Sequence, residues 1–244
     1  MRLTIVGCSG TYPGPGSPCS SYLVEEDGFR LVLDMGNGSL GPLDEACGLL
    51  EPDAVVISHL HGDHYFDLLT YTYVRHYHPA GSAPVLPVYG PSGLPGVIED
   101  PEDPVEGVYD VRPIDSERTI DVGPFEITLR RMNHSVETYG MRISAGGRTI
   151  AYSADTAPCD ALTDLARDAD LMLCEASFLD GEHNPPGLHM TGGDAGAHAT
   201  RAGAGRLVLT HLVPWGDVDR TLAGATASYS GDIAIAHSLD RFEI

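Results

Sequence analysis

Short apolar runs bounded by Gly, Pro or Asp recur along almost the whole chain. "LTIVG" (3–7), "SYLV" (21–24), "RLVLD" (30–34) and "AVVIS" (54–58) are rich in Val, Ile and Leu and predict β-strands. The same composition predicts strands at "LPVYG" (86–90), "FEITLRR" (125–131), "YGMRIS" (139–144), "RTIAYS" (148–153), "DLMLCE" (170–175) and "RLVLTH" (206–211). Apolar positions take the helical period over 65–77, 159–168, 192–203 and 217–228. Thr191, with Asp194 three residues on, has the form of a capping box and fixes the start of the third of these helices. The stretch 90–108, "GPSGLPGVIEDPEDPVEGV", is rich in Gly, Pro and acid, and reads equally well as a lid or as a disordered excursion. No repeat or linker interrupts the pattern. One domain over 1–244, with many strands and a few outer helices, is expected.

Composition narrows the class. The 244 residues suit one large domain, and 42% of them are apolar, enough for a sizeable core. No apolar run approaches the roughly 18 residues of a membrane span, and "MRLTIVGCSG" lacks the form of a signal peptide. The five cysteines (Cys8, Cys19, Cys47, Cys159, Cys174) are odd in number, scattered, and never spaced C-x-x-C. Reduced thiols and a cytoplasmic location are expected. Acidic residues number 35 against 14 basic ones, all arginine, for a formal charge of −21. Such a surface repels polyanions, so a long nucleic-acid footprint is disfavoured. A small anion entering a locally positive pocket is not.

Several predicted strands end in a residue able to bind or support a ligand: Asp34, His59, Asp155, Glu175 and His211 stand at or just past such ends. If the strands share a sheet edge, these groups converge. The densest stretch is "VVISHLHGDHYFDL" (55–68), which carries His59-x-His61-x-Asp63-His64. In a tight turn after a strand, alternate residues point the same way. His59 and His61 can then grip one ion while Asp63 and His64 face a second. Imidazole and carboxylate suit zinc, manganese or iron. Four ligands do not complete two ions. His134 in "RMNHSVE", Asp155 in "YSADT" and His211 in "LTHLVP" are the candidates for the remainder.

Taken in order, "TIVGCSGTYPGPGSPCSSYLV", "LVLDMG", "SHLHGDH", "NHSVE", "YSADT", "CEASF", "LHMTGGDAG" and "LTHLVP" resemble the metallo-β-lactamase-fold hydrolases, and within them the ribonuclease Z and phosphodiesterase branch. The resemblance spans nearly the whole chain. It implies an α+β, four-layer αβ/βα sandwich of two mixed sheets, with a dinuclear metal site at one sheet edge. It implies that His59, His61 and His134 bind one metal, that Asp63, His64 and His211 bind the other, and that Asp155 bridges them. It also implies that Asp34 orients a ligand histidine through its outer ring nitrogen. Two divalent ions, zinc first among them, outweigh the charge of Asp63 and Asp155 and leave the pocket positive within an acidic protein. They lower the pKa of a shared water from about 15.7 towards 7 and so supply a hydroxide nucleophile, which Asp63 helps to orient. Glu175 and His189, in "CEAS" and "HMT", resemble a pair in which the histidine protonates the leaving alkoxide and the glutamate orients it. His189 can alternatively be read as capping the approach to helix 192–203.

Substrate class follows from what is missing. Ribonuclease Z usually carries an arm for the tRNA elbow between the segments of His134 and Asp155. Here those residues stand 21 positions apart, and the sequence between them reads as two strands joined by a Gly-Gly turn. The chain is also similar to compact actinobacterial proteins described as atypical class II cyclic-AMP phosphodiesterases. The expected function is hydrolysis of a small phosphodiester, 3′,5′-cyclic AMP foremost, in a family that is often dimeric. The alternatives are tRNA 3′ processing of the ribonuclease Z type and a non-catalytic metal-binding module. The module is disfavoured because every ligand position is filled. Other polar groups carry less. His76 and His78, with Arg75 and Tyr77, could face a substrate but read better as an ordinary exposed helix end. His183, His198 and His237 have no partner in sequence. Ser20 and Ser21 lie in a loop that could approach a phosphate, and "GCSG" (7–10) is too short for a phosphate loop.

Overall fold

The computed structural model of the chain describes residues 1–81, 83–98, 107–114 and 118–244. Its strands form two seven-stranded sheets. The first half of the chain runs β1 (Arg2–Gly7), β2 (Ser21–Glu26), β3 (Phe29–Leu33), α1 (Leu40–Ala46), β4 (Ala54–Val56), α2 (Gly62–Tyr77), β5 (Leu86–Gly90), α3 (Pro95–Ile98) and β6 (Tyr109–Pro113). The second half runs β7 (Arg118–Val122), β8 (Phe125–Arg131), β9 (Tyr139–Ala145), β10 (Arg148–Tyr152), α4 (Asp160–Leu165), β11 (Leu171–Glu175), α5 (Gly192–Ala202), β12 (Arg206–Thr210), α6 (Val218–Ser228), β13 (Asp232–Ile235) and β14 (Arg241–Glu243).

The first sheet has the order β14-β1-β2-β3-β4-β5-β6 and the second β13-β12-β11-β10-β9-β8-β7. Both are mixed. β3 to β6 run parallel, as do β10 to β13, while the hairpin-connected strands are antiparallel. The inner faces meet in one core, where Leu3, Ile5, Tyr22, Leu31, Leu33 and Val56 pack with Ile127, Met141, Ile150, Tyr152, Leu173 and Val208. The alternate residues Val6, Leu23, Val32 and Val55 face outward and are covered by Leu43 of α1 and by Tyr65, Leu68 and Tyr71 of α2. On the other side Met172, Cys174, Leu207 and Leu209 are covered by α4, α5 and α6. Strands buried on both faces explain the continuous apolar runs in the sequence. The expected α+β sandwich with helix layers outside is therefore observed. Close packing of α5 on α6 needs glycine: a Cβ on Gly192 would stand 2.0 Å from the Thr221 carbonyl oxygen.

The elements differ from expectation at their ends. The helix expected over 65–77 begins at Gly62, which places Asp63 and His64 in its first turn. The one expected over 159–168 shortens to Asp160–Leu165. The third ends at Ala202, with Gly203 closing it at φ 69°, and the capping box is present: Asp194 N donates to Thr191 Oγ1 and Thr191 N to Asp194 Oδ2. Of the stretch 90–108, Pro95–Ile98 forms the short α3. Residues 99–106 lie outside those described, and the lid reading with them. No helix among the described residues is long and apolar enough to cross a membrane.

Candidate metal centre

Parallel strands bring their C-terminal ends to one edge, and the candidate residues follow them there. β3 is followed by Asp34, β4 by His59, β10 by Asp155, β11 ends in Glu175, and β12 is followed by His211. Asp34 (φ 57°), Ala154 (φ 50°) and His211 (φ 55°) adopt left-handed backbone at these junctions. That conformation is costly for residues with a Cβ and clusters at functional sites. The start of α2 is pinned beside them. Met35 N donates to the His64 carbonyl at 2.7 Å, and a Cβ on Gly36 would stand 2.0 Å from Asp63 O.

Seven predicted residues converge. His61 Nδ1 lies 3.2 Å from both His59 Nε2 and His134 Nε2. Asp155 Oδ2 completes this group, 3.6 Å from His59 Nε2 and 3.8 Å from His134 Nε2. In the second group, His211 Nε2 lies 3.2 Å from both His64 Nε2 and Asp63 Oδ2. Asp155 Oδ1 faces this group, 3.2 Å from His64 Nε2 and 3.4 Å from His211 Nε2. One carboxylate thus offers an oxygen to each half.

The outer nitrogens decide what the inner ones carry. His64 Nδ1–H donates to Asp34 Oδ2 at 2.8 Å. Ser58 Oγ donates its hydrogen to Asp34 Oδ2, so it accepts from His59 Nδ1–H at 3.0 Å. His134 Nδ1–H donates to the Leu188 carbonyl at 2.7 Å. Ser177 Oγ donates to His211 O and accepts from His211 Nδ1–H at 2.8 Å. With the outer nitrogens as donors, neutral rings turn their Nε2 lone pairs inward. The centre is a nest of lone pairs and carboxylate oxygens. Asp155 Oδ1 is buried and makes no hydrogen bond. Such a set repels itself unless a cation lies within it. Zinc–nitrogen bonds of about 2.0–2.1 Å set tetrahedral neighbours about 3.3 Å apart, the spacing found here. The residues therefore fit divalent metal.

The electrostatics agree. Burial pushes the His59 imidazole well below its usual pKa, with His64 adding to the effect. Burial likewise lowers His61 and His134. Burial opposes charge on His64 too, but Asp155 and Asp34 outweigh it and push that imidazole well up. Burial would raise Asp155 and Asp63. The neighbouring histidines, His211 and His64 foremost, instead hold both carboxyls well below the usual range. Metal entering the centre must displace the proton that His64 would otherwise hold.

A pocket of about 410 Å³ opens on the centre, lined by Thr11, Asn37, His61, Gly62, Asp63, Phe66, Asp155, His189 and His211. His189 Nδ1–H donates to Glu175 Oε1 at 2.9 Å. Glu175 is fully buried and also accepts from the backbone nitrogens of Thr156, Ser177 and Met190. It is fixed on all sides. Burial opposes charge on His189, but Glu175, with Asp155 behind it, raises the imidazole to about 9.

Residues with weaker claims fall elsewhere. Arg75 is buried and bonds Tyr71 Oη and the Pro84 carbonyl. His76 and Tyr77 are exposed at the end of α2. His78 Nδ1 accepts from Ala80 N. His198, on α5, bonds Thr163 of α4, and His237 lies 3.3 Å from Asp240. Ser20 and Ser21 are fully buried and do not line the pocket, so they do not approach a phosphate there. Sequence reasoning missed Ser58, Ser177 and the Leu188 carbonyl, which orient ligand rings, and Thr11, whose N–H donates to Asp63 Oδ2 at 2.7 Å. Only the positions of Ser58 and Ser177, next to "HLH" and "CEA", carried any signal.

A match to the family described as "Beta-lactamase superfamily domain" covers residues 30–212. The chain belongs to this superfamily, in its metallo-β-lactamase fold. It is 37% identical to an uncharacterized protein of Mycobacterium leprae, over 100% of this chain and 89% of that one. It is 31% identical to the "Probable metallo-hydrolase YhfI" of Bacillus subtilis, over 98% of each. The crystal structure of YhfI superposes with a TM-score of 0.90, covering 100% of this chain and 99% of that one at 29% identity. A ribonuclease Z of Methanosarcina acetivorans is 27% identical over 87% of each chain. The expectation of a metal-dependent hydrolase holds at this level.

Proposed function

We propose that the chain is one domain acting as a dinuclear, zinc-dependent phosphodiesterase on a small phosphodiester, 3′,5′-cyclic AMP foremost. In this reading His59, His61 and His134 hold one ion, Asp63, His64 and His211 the other, and Asp155 stands between them. When bound, two divalent ions supply an activated water and offset the charge on the phosphoryl oxygens. The chain supplies the rest. Asp63, anchored by Thr11 N–H, orients the attacking water. Glu175 holds His189 Nδ1, so that His189 Nε2 delivers a proton to the leaving alkoxide. Outweighing burial, the Glu175 carboxylate raises the His189 pKa and so favours the protonated ring that a donor needs.

The observation that carries the substrate class is the hairpin between His134 and Asp155. β9 and β10 pair Ala145 with Arg148 across Gly146-Gly147, and nothing there resembles an arm for tRNA. The formal charge of −21 supports the same reading. Five free thiols support a cytoplasmic location. A homodimer remains an expectation from the family resemblance.

Likeness to a ribonuclease Z favours a second reading, tRNA 3′ processing. One experiment separates the two: turnover of cyclic AMP, a precursor tRNA and bis-nitrophenyl phosphate by metal-loaded protein. Cleavage of the cyclic nucleotide with tRNA untouched supports the proposal. Cleavage of tRNA alone overturns it. No turnover of any diester by fully metallated protein would favour a binding module.

A further inference from the structure

The pocket lining holds no arginine, and the chain has no lysine. Once the metal centre and His189 have engaged a phosphate, no cationic side chain in the lining is left to add affinity. What the pocket offers to the rest of a ligand is aromatic. Phe66 lines it and is 50% exposed, so its ring is open to a ligand in the pocket. It stands three residues after Asp63 on α2, and residues three apart on a helix are surface neighbours. Its ring lies over the backbone of Gly62, where a Cβ would stand 2.5 Å from it.

A second aromatic surface lies outside the pocket lining, beginning at the residue after Thr11. Tyr12 and Trp215 stack with ring centroids 5.6 Å apart and planes 18° from parallel. They are 45% and 66% exposed. Both stand on loops tied to the centre. Thr11, next to Tyr12, bonds Asp63, and the Trp215 loop leaves from His211. The two loops are held together by the Gly10 N–H donating to the Leu212 carbonyl at 3.1 Å. Trp215 is the only tryptophan of the chain.

We propose that Phe66 and the stacked Tyr12–Trp215 pair form a platform for the planar base of a nucleotide whose phosphate sits at the metal centre. The inference rests on the phosphodiesterase reading and adds to it the part of the substrate that sets specificity. Stacking on aromatic faces suits a base because every base has a π-face. It also suits an acidic protein, since it needs no ionic attraction. The base is favoured over a second copy of the chain as occupant because Phe66 lines the same pocket as the phosphate-binding groups.

Trp215 provides the probe. Zinc-loaded protein is titrated with AMP and with ribose 5-phosphate, which share the phosphate and sugar and differ in the base. Saturable quenching of tryptophan fluorescence by AMP alone is expected. Calorimetry should show AMP bound at least about tenfold more tightly than ribose 5-phosphate, a difference of about 1.4 kcal/mol. Phe66→Ala and Trp215→Ala should each remove most of that preference while leaving ribose 5-phosphate affinity unchanged. Equal affinities for the two ligands, even with cyclic AMP hydrolysed, would overturn the platform and leave the phosphodiesterase reading standing. A base preference that depends on Phe66 and Trp215, without turnover of any diester by metal-loaded protein, would uphold the platform and overturn that reading. If Trp215→Ala changes the oligomeric state and not AMP affinity, a second copy covers the surface and the platform is wrong.

Discussion

Asp34 and His64 form a fully buried pair, joined by a 2.8 Å hydrogen bond from His64 Nδ1 to Asp34 Oδ2. The carboxylate also accepts from Ser58 N, Ser58 Oγ and Tyr152 Oη. It therefore fixes two ligand rings at once, His64 directly and His59 through Ser58. Asp34→Asn would set an amide against donors on three sides. Outer partners of metal ligands typically carry about 10–100-fold in metal affinity. A loss of that size, read by chelator competition, is expected with the fold retained by circular dichroism. Unchanged zinc affinity would show that the rings are held without Asp34.

Asp155 predicts a different pattern. Metal bound at about 100 times its dissociation constant stabilises the fold by about 2.7 kcal/mol. For a chain of this size that is roughly 5–10 °C in Tm. Chelation should lower the Tm of the native protein by that amount. In Asp155→Ala the chelator shift should nearly vanish and turnover fall to background, because both halves of the centre lose an oxygen. The metal-free variant should itself unfold below metal-free native protein, because His64 and His211 lose the buried carboxylate that faces them at 3.2 and 3.4 Å. A full chelator shift in the variant would contradict a bridging position.

What was legible in the sequence, and what was not, divides by locality. His59, His61, Asp63 and His64 stood out because one turn holds them. His134, Asp155 and His211 needed the second, mixed sheet to bring distant strand ends together, and the placement of polar residues after apolar runs and the family resemblance pointed that way. Ser58 and Ser177 orient rings with single hydroxyls, and Leu188 does so with a backbone carbonyl, which leaves no trace in side-chain pattern. Among the elements, the central strands were plain because both faces are buried. The edge strands were not: β6 ("YDVRP") carries a proline, and β14 ("RFE") has three residues and polar ends. The helix α1 ("LGPLDEA") was hidden by Gly and Pro inside a seven-residue element. The aromatic rim was missed because exposed aromatics follow no period.

His198 lies away from the centre and predicts how stability responds to pH. Burial and the neighbouring Arg201 lower its imidazole to about 4. The unfolded chain binds that proton near pH 6.5 and the folded chain only near 4. Its contribution to stability is full above pH 6.5 and is lost as pH falls from about 6.5 through 4. Allowing for solvent screening, the loss is about 1–2 kcal/mol. His198→Asn should lower stability at neutral pH and flatten the profile across that window, measured by urea unfolding of metal-free protein at several pH values. A slope equal to that of the native protein would place the acid sensitivity elsewhere.

The His189–Glu175 pair predicts a dependence on leaving group. A positioned general acid contributes about 10²–10⁴-fold when the leaving group needs a proton. An alkoxide from a cyclic nucleotide needs one, and a nitrophenolate scarcely does. His189→Ala should therefore lose about 10²–10⁴-fold on the cyclic nucleotide and less than about tenfold on bis-nitrophenyl phosphate. Glu175→Gln should lose less than His189→Ala on the cyclic substrate, because the ring keeps its neighbours Phe178 and His134 while losing its fixed carboxylate. Comparable losses on both substrates would mean that His189 shapes the pocket or caps the approach to α5 without moving a proton. Loss on the cyclic nucleotide alone would identify it as the group that carries the proton to the departing oxygen.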